Sequence, residues 1–240
     1  MESAMSRTFL LSSAVALVVA LNSGAVMAQD AANPSEAYAI SRGAQIYDKW
    51  YGALKAPKPE ATHPAYPAAG KKKGADTWRC KECHGWDYRG AAGAYSKGSH
   101  FTGIKGVSGA AGSDPASIAS MLRSAPHGYT ADMIPDSAMA DVALFISKGQ
   151  VDPTAYVADG KSSGDAPVGK VYFEGLCAGC HGLDGKKIKD ADPLGAVAGN
   201  TVEMMHKVLN GQPGEAMPAL RVFDPKLAAD IVAYVQTLPE

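Results

Sequence analysis

Cys80-Lys81-Glu82-Cys83-His84 and Cys177-Ala178-Gly179-Cys180-His181 are two copies of one pattern, Cys-x-x-Cys-His, and together they use all four cysteines of the 240-residue chain. The pattern reads as covalent attachment of c-type haem. Two thiols add across the two vinyl groups of one porphyrin, and the adjacent histidine reaches the iron, for which imidazole is a normal axial ligand. Two competing readings fit worse. A thioredoxin-like pair belongs at a strand-to-helix junction, and the flanks here are rich in Gly, Lys and Asp with no strand-like run before them. A zinc site would leave each thiol pair short of fixed partners. The cofactors expected are therefore two covalently bound haem c groups, held at Cys80, Cys83 and His84 and at Cys177, Cys180 and His181.

Working outward, the separation of the motifs suggests one domain each. Gly149 to Pro167 is rich in Gly, Pro and Ser and reads as a linker. The expected organisation is an export segment over 1–28, a first domain over 29–150 with insertions, a linker over 151–165 and a second domain over 166–240. In the second domain a helix over Val168 to Leu176, with Val168, Val171, Tyr172 and Leu176 on one face, delivers the chain into Cys177. Thr201 caps a helix over Val202 to Leu209, which Gly211 and Pro213 end. Asp224-Pro225 opens a last helix to Leu238. The first domain repeats this order: a helix over Ser41 to Tyr51, the motif, a helix from Asp114-Pro115 through Leu122, and a final helix capped by Asp136 and running through Ser147. Gly- and Pro-rich insertions fill roughly 52–78 and 90–112.

Each haem iron that only carries electrons needs a distal ligand. In the second domain Met217 lies in a loop between two predicted helices, in Gly214-Glu215-Ala216-Met217-Pro218. A thioether there raises the reduction potential. In the first domain Met133, just ahead of the final helix, takes the corresponding place, with His100, His127 and Met139 as rivals. Met204 and Met205 fit core packing, His63 and His206 carry no ligand role, and Trp86 and Tyr88 read as packing residues.

The amino terminus reads as a secretory signal. Arg7 supplies the positive charge, Phe9 to Leu21 the apolar stretch and Ala25-Val26-Met27-Ala28 a small-residue cleavage site, with the cut before Gln29. No later run is long and apolar enough to be a transmembrane candidate, so the mature form is expected to be soluble and outside the cytoplasm. The formal net charge of -1 excludes the basic footprint of a nucleic-acid binder. The balance is uneven, with 14 Lys+Arg against 11 Asp+Glu over 29–150 and 8 against 12 over 151–240. Such polarity can orient encounter with redox partners, and Lys71 to Lys73 and Lys186, Lys187 and Lys189 are candidate docking points.

These residues together resemble the class I c-type cytochromes in tandem, two-domain (dihaem) form. The resemblance covers the second domain from its first helix through Cys177–His181 and Met217-Pro218 to the last helix. It covers the first domain more loosely, through Cys80, Cys83, His84 and the helix after Met133. It implies an all-α fold with helices wrapped around each haem. It also implies electron transfer in the bacterial periplasm, as a shuttle or as the cytochrome subunit of a dehydrogenase or oxidase complex. The stretches Thr77-Trp78-Arg79, Trp86-Asp87-Tyr88 and Gly98 to Gly112 exceed a minimal domain of that family. The plan also resembles thiosulfate-oxidising dihaem cytochromes, which use a cysteine as a distal ligand, but none is left over here. The leading expectation is thus an electron carrier with no substrate chemistry of its own. The rival is a haem enzyme, a peroxidase or sulfur-compound oxidoreductase, working at the first haem with His100 or His127 as proton donor. A haem-based sensor is the third reading, and no output domain is visible for it.

Overall fold

Two helices that cross at a glycine organise each half of the molecule. In the first half these are α1 (Glu36–Ala53) and α4 (Asp136–Leu144), between which the chain forms α2 (Cys80–His84) and α3 (Pro115–Arg123). In the second half they are α5 (Ala166–Tyr172) and α9 (Pro225–Val235), with α6 (Ala178–His181), α7 (Leu194–Val197) and α8 (Thr201–Asn210) between them. The computed structural model describes residues 34–240; the export segment over 1–28 and the cleavage position before Gln29 lie outside them. Within that range the chain is predominantly α-helical, as expected, with a small hairpin of β1 (Val157–Ala158) and β2 (Lys161–Ser162). No helix among the described residues is long and apolar enough to cross a membrane.

The crossings are built alike. A Cβ at Gly43 would collide with the carbonyl oxygen of Asp141, and a Cβ at Gly169 with that of Asp230. Each glycine therefore lets one backbone lie against another, at a helix-propensity cost of about 1 kcal/mol relative to alanine. One turn further on, an aromatic pair closes each crossing: Tyr47 with Phe145 at 5.4 Å and Phe173 with Tyr234 at 5.3 Å between ring centroids. Both α4 and α5 run into a π-helical turn, Phe145–Gly149 and Phe173–Cys177. The second of these carries the chain straight into Cys177.

Each half has its own apolar core. The first gathers Ile40, Ala44, Ile46, Tyr47, Trp50, Ile118, Leu122, Ile134, Val142 and Phe145. The second gathers Phe173, Met204, Met205, Val208, Leu209, Ile231, Val232 and Val235. Yet Glu36–Glu240 forms one compact unit, because α8 packs on α1. His206, on α8, is buried there between the Ala44 carbonyl, 3.1 Å from Nε2, and the Tyr88 hydroxyl, 3.2 Å from Nδ1. Gln45 donates to the Asn210 carbonyl at 2.7 Å. Lys207 reaches the buried carboxylate of Asp48, which Arg79 grips from its own half, at 2.9 and 2.5 Å.

Several local expectations shift. Asp136 is the first residue of α4 rather than its cap; Pro135 takes the cap position, and the Asp136 carboxylate pairs instead with Arg123 at 2.7 Å. Thr201 likewise begins α8, and its hydroxyl is drawn off to the Gly160 carbonyl. Asp114 and Asp224 cap as expected, each ahead of a proline in the first turn. Val168, Val171, Tyr172 and Leu176 are all exposed, and α5 buries the opposite face through Gly169 and Phe173. The segment 151–165 is laid along α9: Ser162 donates its hydroxyl to the Ala229 carbonyl at 2.7 Å and its N–H to Gln236 at 3.1 Å.

Candidate functional site

The first motif forms the short helix α2, and a helical turn places Cys80, Cys83 and His84 on one local surface. Gly85, at φ 83°, ends it with a turn that a side chain resists. Both thiols are free. Burial pushes Cys80 up to about 11 and Cys83 up to about 12, so both stay protonated. A redox dithiol requires the reverse, a thiol pushed down.

His84 is held by its backbone-side nitrogen. Nδ1–H donates to the Lys105 carbonyl at 2.8 Å, which leaves the lone pair on Nε2, the tautomer of an oriented metal-ligating imidazole. Burial lowers its pKa and keeps the ring neutral. The Lys105 carbonyl is delivered by the insertion over 90–112, whose Ile104 and Lys105 run beside Gly90 in an isolated bridge. Gly106 permits this, since a Cβ there would strike the Tyr88 carbonyl.

The insertion over 52–78 has a second task. His63, buried, donates from Nε2 to the His127 carbonyl at 2.9 Å and accepts at Nδ1 from the Ala65 N–H at 3.0 Å, which fixes its tautomer. Its ring lies edge-on to Trp78 at 4.3 Å. His127 in turn stands over His84, with ring centroids 6.1 Å apart and planes at 36°. The rivals are placed elsewhere. His100 is stacked on Tyr95 at 4.7 Å and bonded to the buried Glu82 carboxylate at 2.9 Å. Met139 is a core residue, and Met133 is half-buried against that same core. The expected short step before the final helix also differs between halves. Met133 precedes the start of α4 by three residues, whereas Met217 precedes the start of α9 by eight.

At the second motif, Cys177 is half-buried, Cys180 exposed and His181 half-buried. Burial raises the Cys177 thiol and lowers the His181 imidazole. The loop carrying Met217 is anchored on both sides. Leu220 N–H donates to the Val208 carbonyl at 3.1 Å, and Arg221 bonds Asn210 Oδ1 at 2.7 Å and the Gly149 carbonyl at 2.9 Å. Met217 itself packs, half-buried, against the second core. Of the lysines expected to dock partners, Lys187 is committed to the Gly179 carbonyl at 2.6 Å and Lys186 to the carboxy-terminal residue.

Both motifs fit a covalent porphyrin. Each offers two free thiols and a neutral imidazole. Among the described residues no group of three or more His, Cys, Asp or Glu side chains could hold a bare metal ion, and a haem iron needs none, since the porphyrin supplies its equatorial donors. Among the described residues, Arg42 Nε, Trp50 Nε1, Tyr95 Oη and His127 Nδ1, all in the first half, are buried without a hydrogen-bond partner. Large exposed apolar residues flank the second motif and its loop, including Leu176, Leu183, Ile188, Val197 and Phe223. What the sequence did not announce is the backbone: the Lys105 carbonyl and the His63 bond to His127 leave no residue-type signature beyond the glycines that allow the approach.

Residues 164–235 match the family model described as cytochrome C oxidase, cbb3-type, subunit III. Over that stretch the chain carries a c-type cytochrome domain similar to that oxidase subunit's. No curated protein matches the chain.

Proposed function

We propose that the chain is a periplasmic dihaem c-type cytochrome that passes electrons between redox partners, in a respiratory oxidase or dehydrogenase complex. Cys80, Cys83 and His84 hold the first haem. Cys177, Cys180, His181 and Met217 hold the second. The observation that carries this reading is duplication: one Gly-and-aromatic helix crossing occurs in each half, and each frames one Cys-x-x-Cys-His motif. The match of 164–235 to a cytochrome oxidase subunit supports electron transfer and association with a redox complex. The signal-like residues 1–28 support export.

A bound haem c supplies an iron that changes oxidation state by one electron. The chain's own residues do the rest. His84, fixed by the Lys105 carbonyl, presents a single nitrogen in a set direction. Arg221 and Asn210 hold the loop that presents the Met217 sulfur. The more exposed second motif is the natural face for a partner.

The test is peptide mass spectrometry on the exported, matured protein. One porphyrin is expected on the peptide containing Cys80 and Cys83 and one on that containing Cys177 and Cys180. Replacing either cysteine pair by serine should remove one porphyrin and leave the other. A protein that matures with no porphyrin on either peptide overturns the reading.

A further inference from the structure

His127, one of the rivals to Met133, is the side chain whose ring is brought beside that of His84, with the planes tilted by 36°. Its ring centroid lies 6.1 Å from that of His84. An imidazole–metal bond of about 2 Å on each side gives two rings sharing one ion a centroid separation of roughly that size. Its Nδ1 is buried with no hydrogen-bond partner, an expensive condition for a polar atom unless something fills it. The Met121 carbonyl acts on the ring as a hydrogen-bond acceptor and raises its pKa, against the larger lowering by burial, but it does not meet hydrogen-bond geometry at Nδ1.

The internal duplication gives an independent argument. Superposing the two crossings equates Asp141 with Asp230 and Phe145 with Tyr234. Counted back from these, the place of Met217 falls on Gly128, immediately beside His127. Counted forward, Met133 falls on Val222, which is 72% exposed. The chain around His127 is also clamped as a ligand loop should be. His63 holds its carbonyl at 2.9 Å, Arg123 holds the Tyr129 carbonyl at 3.1 Å, and the Tyr129 hydroxyl bonds the Trp78 carbonyl at 2.8 Å.

We infer that His127, not Met133, is the distal ligand of the first haem, which is therefore held between two imidazoles while the second is held by His181 and Met217. Met133 is then a packing residue of the first core. The inference rests on the proposed attachment of haem at Cys80 and Cys83. It makes the two haems unlike. A histidine pair lowers the potential relative to histidine–methionine, so the first haem is the electron donor to the second.

The experiment uses the full-length exported holoprotein and reads the methionine-to-iron charge-transfer band of the oxidised form, together with carbon monoxide binding to the reduced form. Met217→His should abolish the band entirely; survival of about half of it overturns the inference. Met133→Leu, a volume-conserving exchange, should leave the band and the resistance to carbon monoxide unchanged. His127→Ala should open one iron per molecule to carbon monoxide. His127→Met should keep both irons low-spin and roughly double the band, which guards against a variant that merely misfolds. If Met133→Leu opens the iron and His127→Ala does not, the inference falls while the dihaem reading stands. If the Cys80–Cys83 peptide carries no porphyrin, both fall, and the mass spectrum tells the two cases apart.

Discussion

The two halves share a scaffold and differ in what is threaded through it. In the second, Cys177 comes eight residues after Gly169, and the chain passes through one π-helical turn into the motif. In the first, the path from Gly43 to Cys80 takes in the Pro-rich segment that places His63 behind His127, and a second insertion that places the Lys105 carbonyl on His84. Cys80 is buried and Cys180 exposed. The comparison teaches that the helix crossing is the constant of this fold and that the insertions convert one copy into an enclosed site. The other copy stays more exposed, with Cys180 at the surface.

The comparison can be broken most forcefully at the joint. Asp48→Ala removes the carboxylate that holds Arg79 from one half and Lys207 from the other and leaves two cations facing each other. Breaking a buried pair of this kind costs about 3–5 kcal/mol, read as a lowered urea midpoint. If the halves were independent, the loss would appear in the first half's transition alone; a single shifted transition is expected.

Acid should act on the same joint, somewhat more weakly. His206 is held neutral by burial, which drives its pKa down to about 4, whereas in the unfolded chain it protonates near about 6.5. Between these values the unfolded chain binds the extra proton. Stability is therefore complete above the unfolded value and declines as pH falls toward the folded one, by up to about 3 kcal/mol. Urea titrations along that range should show the decline, and His206→Gln should flatten it. Asp48 adds in the same direction. Burial opposes its ionisation, but Lys207 and Arg79 outweigh burial and hold its carboxyl below the usual range.

The smallest test sharpens the equivalence of the crossings. Gly43→Ala and Gly169→Ala each push a methyl group into a carbonyl oxygen, and overpacking of this sort costs about 1–3 kcal/mol. Losses that agree between the two variants, measured by thermal unfolding, are expected. A neutral result at one position would mean that its helices can slide apart and that the duplication is only superficial.

Much of this was legible in the residues. The two motifs stand out because cysteine is rare here, and the helices after Asp114-Pro115 and Asp224-Pro225 because a capping carboxylate ahead of a proline is a local signal. Met204 and Met205 are in the core, as their helical position suggested. The outward face of α5 was not legible as such. Val168, Val171 and Tyr172 are the larger apolar residues, but the buried face belongs to Gly169 because contact between backbones outranks side-chain bulk. Asp136 looked like a cap by type, and only the position of Arg123 across from it explains why its carboxylate turns away. His127 stood in the sequence only as one rival among three, because its distance from the last helix is informative only once the starts of α4 and α9 are known.

The hydrogen bonds and ion pairs that tie Gln45, Asp48 and Ala44 to α8 have a kinetic consequence. They fix one motif relative to the other, so an electron moving between them would not wait for a swinging or tumbling step. Its rate should be indifferent to solvent viscosity, and the only diffusive event in turnover would be the collision with an outside partner.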